Sequence, residues 1–429
     1  MHARITSALA AAAAALATLL HAPAASAQVT NDPMPPEQFA ACVQTLADLT
    51  STALRPLRRD DFLRIASAAK YDDRVRTAMV VQKREPTFWW DELAATTDDE
   101  RVAQGRQVLA RQADTLRRIE ERFGVPPEIV AAIYGIETNY GPSQGRIPVL
   151  DAAITYACLR PCSGSGTCIA RERAYAAARL LRDNKVPVES WQGSWAAAFG
   201  RTQFVPDSFE PLAVDFDGDG VTDIINSEAD AFATAANHLR TRGGWIPGVP
   251  VYIEVLPPAD AARAYPPNFN RSYRQQDRMR KVSEWAAAGW RAVGPSGEAR
   301  PLEVAGDPEA YPFLPVGLPG PAFLVTRNFN TLYRYNNSDR YVMEVAVLAN
   351  RLAGGPGITT PWPTDDPGLS RAQIRELQSW LMQRGYDKVT PDGVVGSNTR
   401  DAIEAERARK GLPPGRRVGQ RTMPLLMAP

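Results

Sequence analysis

The feature that most constrains this chain is a proline-initiated apolar helix that ends on a single acid. Gly124-Val125-Pro126-Pro127-Glu128 reads as a helix start. Gly124 breaks the element before it, the prolines fill first-turn positions that need no N–H partner, and Glu128 suits the positive end of the helix dipole. The run Ile129-Val130-Ala131-Ala132-Ile133-Tyr134-Gly135-Ile136 then leads straight into Glu137, and Thr138-Asn139-Tyr140-Gly141 forms a polar exit. A carboxyl at the polar end of an apolar helix is partly desolvated, so its pKa rises and it can hold a proton for use as a general acid. The competing reading is a last-turn glutamate in solvent.

Histidine narrows the chemistry further. Of three in the chain, His2 and His21 fall in a leader-like segment, so only His238 remains. Multi-histidine zinc hydrolases are excluded, and a Ser/His/Asp or Cys/His engine would have to use this one residue. His238 sits near the end of a helical pattern, where contact with the negative end of the dipole is the simpler explanation. A net charge of +1 with no long basic block gives no case for nucleic acid.

The start supplies Arg4, an Ala/Leu-rich run to Leu20 and the small residues Ala25-Ser26-Ala27, the pattern of a secretory signal peptide over residues 1–27. No cysteine stands at the cleavage point and no later run is apolar enough to span a bilayer, so the expectation is an exported, periplasmic, soluble protein. Cys42, Cys158, Cys162 and Cys168 then favour disulfides, with three pairings open. Three of them lie within eleven residues, so one is expected to reach back to Cys42. A metal knuckle is the weaker alternative, with no histidine nearby.

With 429 residues, two or three domains fit. Residues 28–123 read as mostly helical, with Arg101 to Arg122 as one long charged amphipathic helix. Phe88-Trp89-Trp90 suits a core staple better than a sugar platform. Residues 245–330 carry short β-branched runs at 249–255 and 322–326, which suggest a small strand-containing insertion. Helix returns at 340–352. Residues 354–368 have linker composition, and 369–429 form a compact unit of their own.

Three further segments suggest chemistry. Gly193 to Phe209 sets Ser194 and Gln203 among glycines and aromatics, which suits either a sugar with hydroxyl and acetamido groups or a helix-packing turn. Asp215-Phe216-Asp217-Gly218-Asp219-Gly220-Val221-Thr222-Asp223 places oxygen ligands at Asp215, Asp217, Asp219, the Val221 carbonyl and Asp223, as in the start of a calcium loop. Position twelve is Asn226, so a closing carboxylate would come from Glu228 or Asp230. A solvated acidic turn is the alternative. Such an ion would be structural, since its ligands saturate it. Last, Tyr333, Tyr335, Asn336 and Tyr341 combine aromatics with amides, suited to stacking on sugars or to a loop capping the next helix by Asn or Ser.

In this order, the segments resemble the lytic murein transglycosylase B family over roughly residues 35–353. The resemblance implies a mainly α, lysozyme-like helical core with flanking helices and a small strand insertion. It implies Glu137 as the one catalytic acid/base, in a Glu-Thr-x-Tyr/Trp-Gly motif, with Ser194, Gln203, Tyr335, Asn336 and Tyr341 contacting glycan and the Asp215–Asp223 loop holding calcium. Two departures stand out: the loop's downstream acid is displaced by one position, and His238 occupies the place of an aromatic. The terminal unit, with Ile374, Leu377, Leu381, Gly385-Tyr386, Asp392-Gly393 and Ser397-Asn398-Thr399 as a helix cap, looks like a three-helix peptidoglycan-binding domain.

Glycosidic bond cleavage normally uses two carboxylates. Asp151 is a candidate partner, in a place that a helix cap or core hydrogen bond would equally explain. A lone acid suffices if the sugar's own C6 hydroxyl is the nucleophile. The activity implied is cleavage between N-acetylmuramic acid and N-acetylglucosamine with a 1,6-anhydro product, needing no cofactor for the chemistry. A hydrolytic muramidase and a non-catalytic glycan-binding protein are the rivals.

Overall fold

The computed structural model describes residues 32–81, 87–142, 144–160, 162, 167–187, 189–264 and 279–428. The leader-like segment 1–27 lies outside them. At the centre is the helix Pro127–Thr138, buried continuously from Ile129 to Gly135 and again at Thr138. It is packed by Asp339–Leu352, Asp99–Arg111, Glu228–Asn237 and Ala113–Phe123. Each fully buried aliphatic here contributes about 1.5–3 kcal/mol, so an apolar helix is most stable with protein around it. Gly124 adopts a left-handed cap at the end of Ala113–Phe123, as its position before the prolines implies.

The charged run expected as one long helix is two, Asp99–Arg111 and Ala113–Phe123, broken at Gln112. The tertiary contact outweighs local propensity: at the break the Gln112 amide donates to Glu228 at 2.8 Å. N-terminal helices Pro36–Asp48 and Arg59–Ala66 bury Phe39, Val43, Leu46 and Phe62 against Tyr175. The cysteines pair as Cys42–Cys158 and Cys162–Cys168, which removes the metal-knuckle alternative.

A two-residue ribbon joins β1 (Ile147–Pro148) to β2 (Gln192–Gly193). The insertion is a six-stranded antiparallel sheet of β3 (Tyr252–Leu256), β4 (Arg280–Lys281), β5 (Arg291–Val293), β6 (Ala299–Arg300), β7 (Glu309–Phe313) and β8 (Ala322–Thr326), in the order β4-β7-β8-β3-β5-β6. Central β8 is buried throughout. Phe323 and Val325 join the main core, while Ala322 and Leu324 join a second cluster with Trp285 and Trp290. That split follows from the period-two alternation of a strand.

The stretch with linker composition is tied down. Glu254 accepts from the backbone N–H groups of Thr359 and Thr360 at 2.9 and 2.6 Å, and Asn350 accepts from Gly357 at 2.8 Å. Beyond it, helices Arg371–Gln383, Ser397–Arg409 and Thr422–Met427 enclose Ile374, Leu377, Leu381, Ile403 and Leu426. The Gln378 amide braces the Asp392-Gly393 turn, donating to Asp392 and accepting from the Gly393 N–H. Ser397 does not cap its helix. It is the first helical residue, and Gly396 holds the cap position without a side-chain bond. Among the described residues no helix is long and apolar enough to cross a membrane.

Candidate active site

Glu137 occupies the last turn of the central helix, which Asn139 ends in a left-handed conformation, with Tyr140 left-handed as well. Part of Glu137 stays exposed, but the protein mass around its carboxyl pushes the pKa from the ordinary 4.5 up to about 7. Burial is the first cause; the Tyr341 hydroxyl pulls the other way. Tyr341 Oη is itself buried without a well-formed hydrogen bond, so its approach to the carboxyl is looser than ideal geometry. No charged group contributes to the Glu137 shift. This carboxyl is therefore an acid poised near neutrality.

Tyr335 and Tyr341 lie with rings parallel and centroids 6.2 Å apart. Burial first, and then the Glu137 charge, raise both phenol pKa values well above the ordinary range, so the two hydroxyls remain neutral donors. Tyr335 Oη donates to the Thr202 carbonyl at 2.7 Å, and Thr138 Oγ1 donates to the Arg201 carbonyl at 2.7 Å. These bonds bring the 201–203 turn to the helix end. Gln203 follows, left-handed, its Nε2 donating to the carbonyls of Gly200 (2.9 Å) and Gln144 (3.2 Å). Left-handed Asn139 and Tyr140 follow the acid directly, and left-handed Gln203 lies in the turn bonded to the same helix end, in keeping with the concentration of backbone strain at functional sites.

The remaining expected contacts fall differently. Ser194 Oγ accepts from the N–H groups of Ala198 (3.1 Å) and Ala196 (3.3 Å), so it organises its own turn. Gly193 is required there, since a Cβ would stand 2.2 Å from the Ala198 carbonyl oxygen. Asn336 is exposed at the end of the helix Arg327–Tyr335, and Ser338 caps the next helix by accepting from the Tyr341 N–H at 3.4 Å. Asp151, half-buried, accepts from the Lys70 N–H at 2.9 Å, a structural hydrogen bond near the surface rather than in the core. His238 is buried with Nδ1 unpartnered and its ring 4.9 Å from Tyr335. Burial holds its pKa down to about 4, so it packs as a neutral ring.

The acidic loop gathers Asp215, Asp217 and Asp230, with one oxygen from each within 4.8 Å of the others. Asp219 and Asp223 turn to their own backbone, accepting from the N–H groups of Val221 (2.8 Å) and Ile225 (2.9 Å). Of the two candidates for closing the loop, Asp230 lies in the cluster. Glu228 accepts from Tyr134 Oη at 3.0 Å and pairs with Arg111. Three hard carboxylate oxygens at this spacing fit calcium, and the buried Asp230 also braces Phe216 and Asp223 by their N–H groups at 2.8 Å.

A helical core, an antiparallel insertion and an acid of raised pKa at the end of the central helix together define a class. Residues 38–350 match the family model described as Transglycosylase SLT domain, and residues 370–426 match Putative peptidoglycan binding domain. The first match covers well over half the chain, and the protein belongs to the transglycosylase SLT-domain family.

Among curated proteins, Membrane-bound lytic murein transglycosylase B of Escherichia coli (strain K12) is 31% identical over 246 residues, 56% of this chain and 60% of that protein. This chain therefore spans less than two thirds of that relative's length. The crystal structure of SltB3 from Pseudomonas aeruginosa in complex with NAG-anhNAM-pentapeptide is 34% identical. It matches over 90% of this chain and 99% of that one, with a TM-score of 0.65. The Escherichia coli lytic transglycosylase Slt35 in complex with calcium is 26% identical over 73% of this chain and 92% of that one, TM-score 0.55.

Proposed function

We propose that this protein is a peptidoglycan lytic transglycosylase that cleaves the β-1,4 bond between N-acetylmuramic acid and N-acetylglucosamine and leaves a 1,6-anhydro end. The observation that carries the proposal is the Glu137 carboxyl, held near neutrality by burial with the neutral Tyr341 phenol beside it. Protonated Glu137 gives its proton to the bridging oxygen as the C1–O4 bond breaks. Positive charge at the anomeric carbon is stabilised by surrounding neutral dipoles or by the substrate's acetamido group. The Glu137 carboxylate then takes the proton of the C6 hydroxyl on the same sugar as O6 bonds to C1. One acid is consumed and regenerated, and no water enters.

Tyr335, Tyr341 and Gln203 line the sugar path, with Asn336 and Ser194 at its margin. Asp215, Asp217 and Asp230 would hold a structural calcium ion, with the Val221 carbonyl, Asp219 and Asp223 as the further oxygens of the loop. The C-terminal unit, residues 369–429, holds the enzyme on its polymeric substrate. Two disulfides and the leader-like start support export to the periplasm.

Mass spectrometry of products from purified sacculi tests the chemistry: anhydro ends are one water lighter than the reducing ends that a hydrolytic muramidase would release. Glu137→Gln abolishes cleavage and leaves sacculus binding intact. Turnover surviving that substitution removes Glu137 from the mechanism.

A further inference from the structure

The C-terminal unit reaches into the catalytic region through one side chain. Arg371, the first residue of the helix Arg371–Gln383, is buried. Its Nη1 donates to the Asn139 side-chain oxygen, two residues beyond Glu137, and its backbone N–H donates to Asp98 Oδ2 at 2.9 Å. Asp98 Oδ1 accepts from the Arg101 N–H at 2.9 Å, so a single carboxylate caps the helix Asp99–Arg111 and also takes the first N–H of Arg371–Gln383. Arg101 in turn donates to the Gly135 carbonyl, inside the last turn that carries Glu137. Asn139 itself is left-handed, a conformation that costs energy outside glycine and persists only where the surroundings impose it.

Docking has other anchors besides Arg371. Arg417 already forms a two-point pair with Asp91 at 2.8 Å, and Arg375 pairs with Glu100. Placing Arg371 beside the buried Arg101 sets two cations against each other, and burial with that repulsion holds Arg101 down to about 10. Burying a charge that way is a poor source of stability. The Arg371 guanidinium also lies 3.7 Å from Asp98 and from Glu100 and donates to Gln104 Oε1 at 3.4 Å, and these contacts fix it with one nitrogen against the Asn139 oxygen at the helix end.

We infer that Arg371 is a positioning residue for the reaction: the peptidoglycan-binding unit completes the catalytic region by holding the Asn139 turn, and through it the Glu137 side chain, in the productive geometry. This rests on the reading of Glu137 as the acid/base. Arg371 exerts no charge effect on that acid, since burial and Tyr341 account for its shift. Its influence is on geometry, where misplacement of a reacting group by an ångström can cost orders of magnitude in rate.

The test uses full-length protein and soluble, uncross-linked glycan strands stripped of stem peptides, assayed below the melting temperature of each variant. Arg371→Ala lowers kcat about tenfold or more with KM within about twofold, and Arg371→Lys, which keeps one donor, recovers part of the loss. Asn139→Gly keeps the left-handed backbone accessible but deletes the acceptor; it lowers kcat similarly, and the double variant loses no more than either single one. Should Arg371→Ala fail to fold, Asn139→Gly tests the same contact from the other side. Arg375→Ala and Arg417→Ala, which remove docking pairs but leave the Arg371–Asn139 contact in place, stay within about twofold of wild type.

An unaltered kcat in Arg371→Ala or Asn139→Gly overturns the inference, as does an equal fall in all the docking variants. Glu137→Gln run in parallel separates the two readings. Activity there removes the acid assignment, whereas an inactive Glu137→Gln beside an unimpaired Arg371→Ala removes only the positioning role.

Discussion

A carboxyl that keeps its proton to about pH 7 in the fold but gives it up near 4.5 when unfolded leaves a thermodynamic trace. Between those values the native state binds more protons than the unfolded chain, so stability falls as pH rises through the window and levels off above it. Glu137→Gln lacks this slope. Denaturant titrations should therefore find the variant gaining on wild type from pH 4.5 to 7, by up to ~2 kcal/mol once partial solvent screening is allowed for. Equal pH dependence in the two proteins would mean that the carboxyl is not desolvated. Activity should decline above pH 7, where the donor is lost. The lone acid was legible in the sequence because an apolar run ending on one Glu states its own dielectric. The loose Tyr341 contact was not, since 204 residues separate the partners and only the fold closes that distance.

At the scale of elements, the acidic loop shows how far local spacing reaches. Alternating carboxylates were readable as an ion site, but which of them converge was not. Asp219 and Asp223 satisfy nearby backbone N–H groups, while Asp230, on the helix that follows, is carried into the cluster. Millimolar calcium should raise the melting temperature by roughly 2–4 °C, and chelation should reverse it. Asp217→Ala, an exposed member of the cluster, should abolish the calcium response and change the metal-free melting temperature little. A calcium shift that survives this substitution would place the ion elsewhere. The break at Gln112 is a second case: helical periodicity continues through it, and only the contact with Glu228 decides that it bends.

For the whole molecule, long-range ties matter most. Cys42–Cys158 closes a separation of 116 residues and fastens the N-terminal helices to the core, whereas Cys162–Cys168 spans only six. Loop-closure entropy assigns about 5 kcal/mol to the first and about 2 to the second. Replacing Cys42 and Cys158 by alanine should lower the denaturation midpoint far more than replacing Cys162 and Cys168; similar losses would show that the unfolded chain is already compact there. The tethered segment 354–368 belongs to the same scale. Its Gly/Pro composition describes a flexible chain, yet Glu254 and Asn350 hold its backbone N–H groups.

By itself the sequence determined the helix that carries the acid, the strand-forming runs at 249–255 and 322–326, the three-helix terminal unit and the order of the site segments. These depend on caps, periodicity and turn residues within a few positions of one another. Tertiary structure alone decided which cysteines pair, that Asp151 serves a backbone N–H, that His238 stays neutral, and that Arg371 lies against the end of the catalytic helix. Each of those depends on which distant groups share a low-dielectric space, and such proximity leaves no mark on the residues that come to share it.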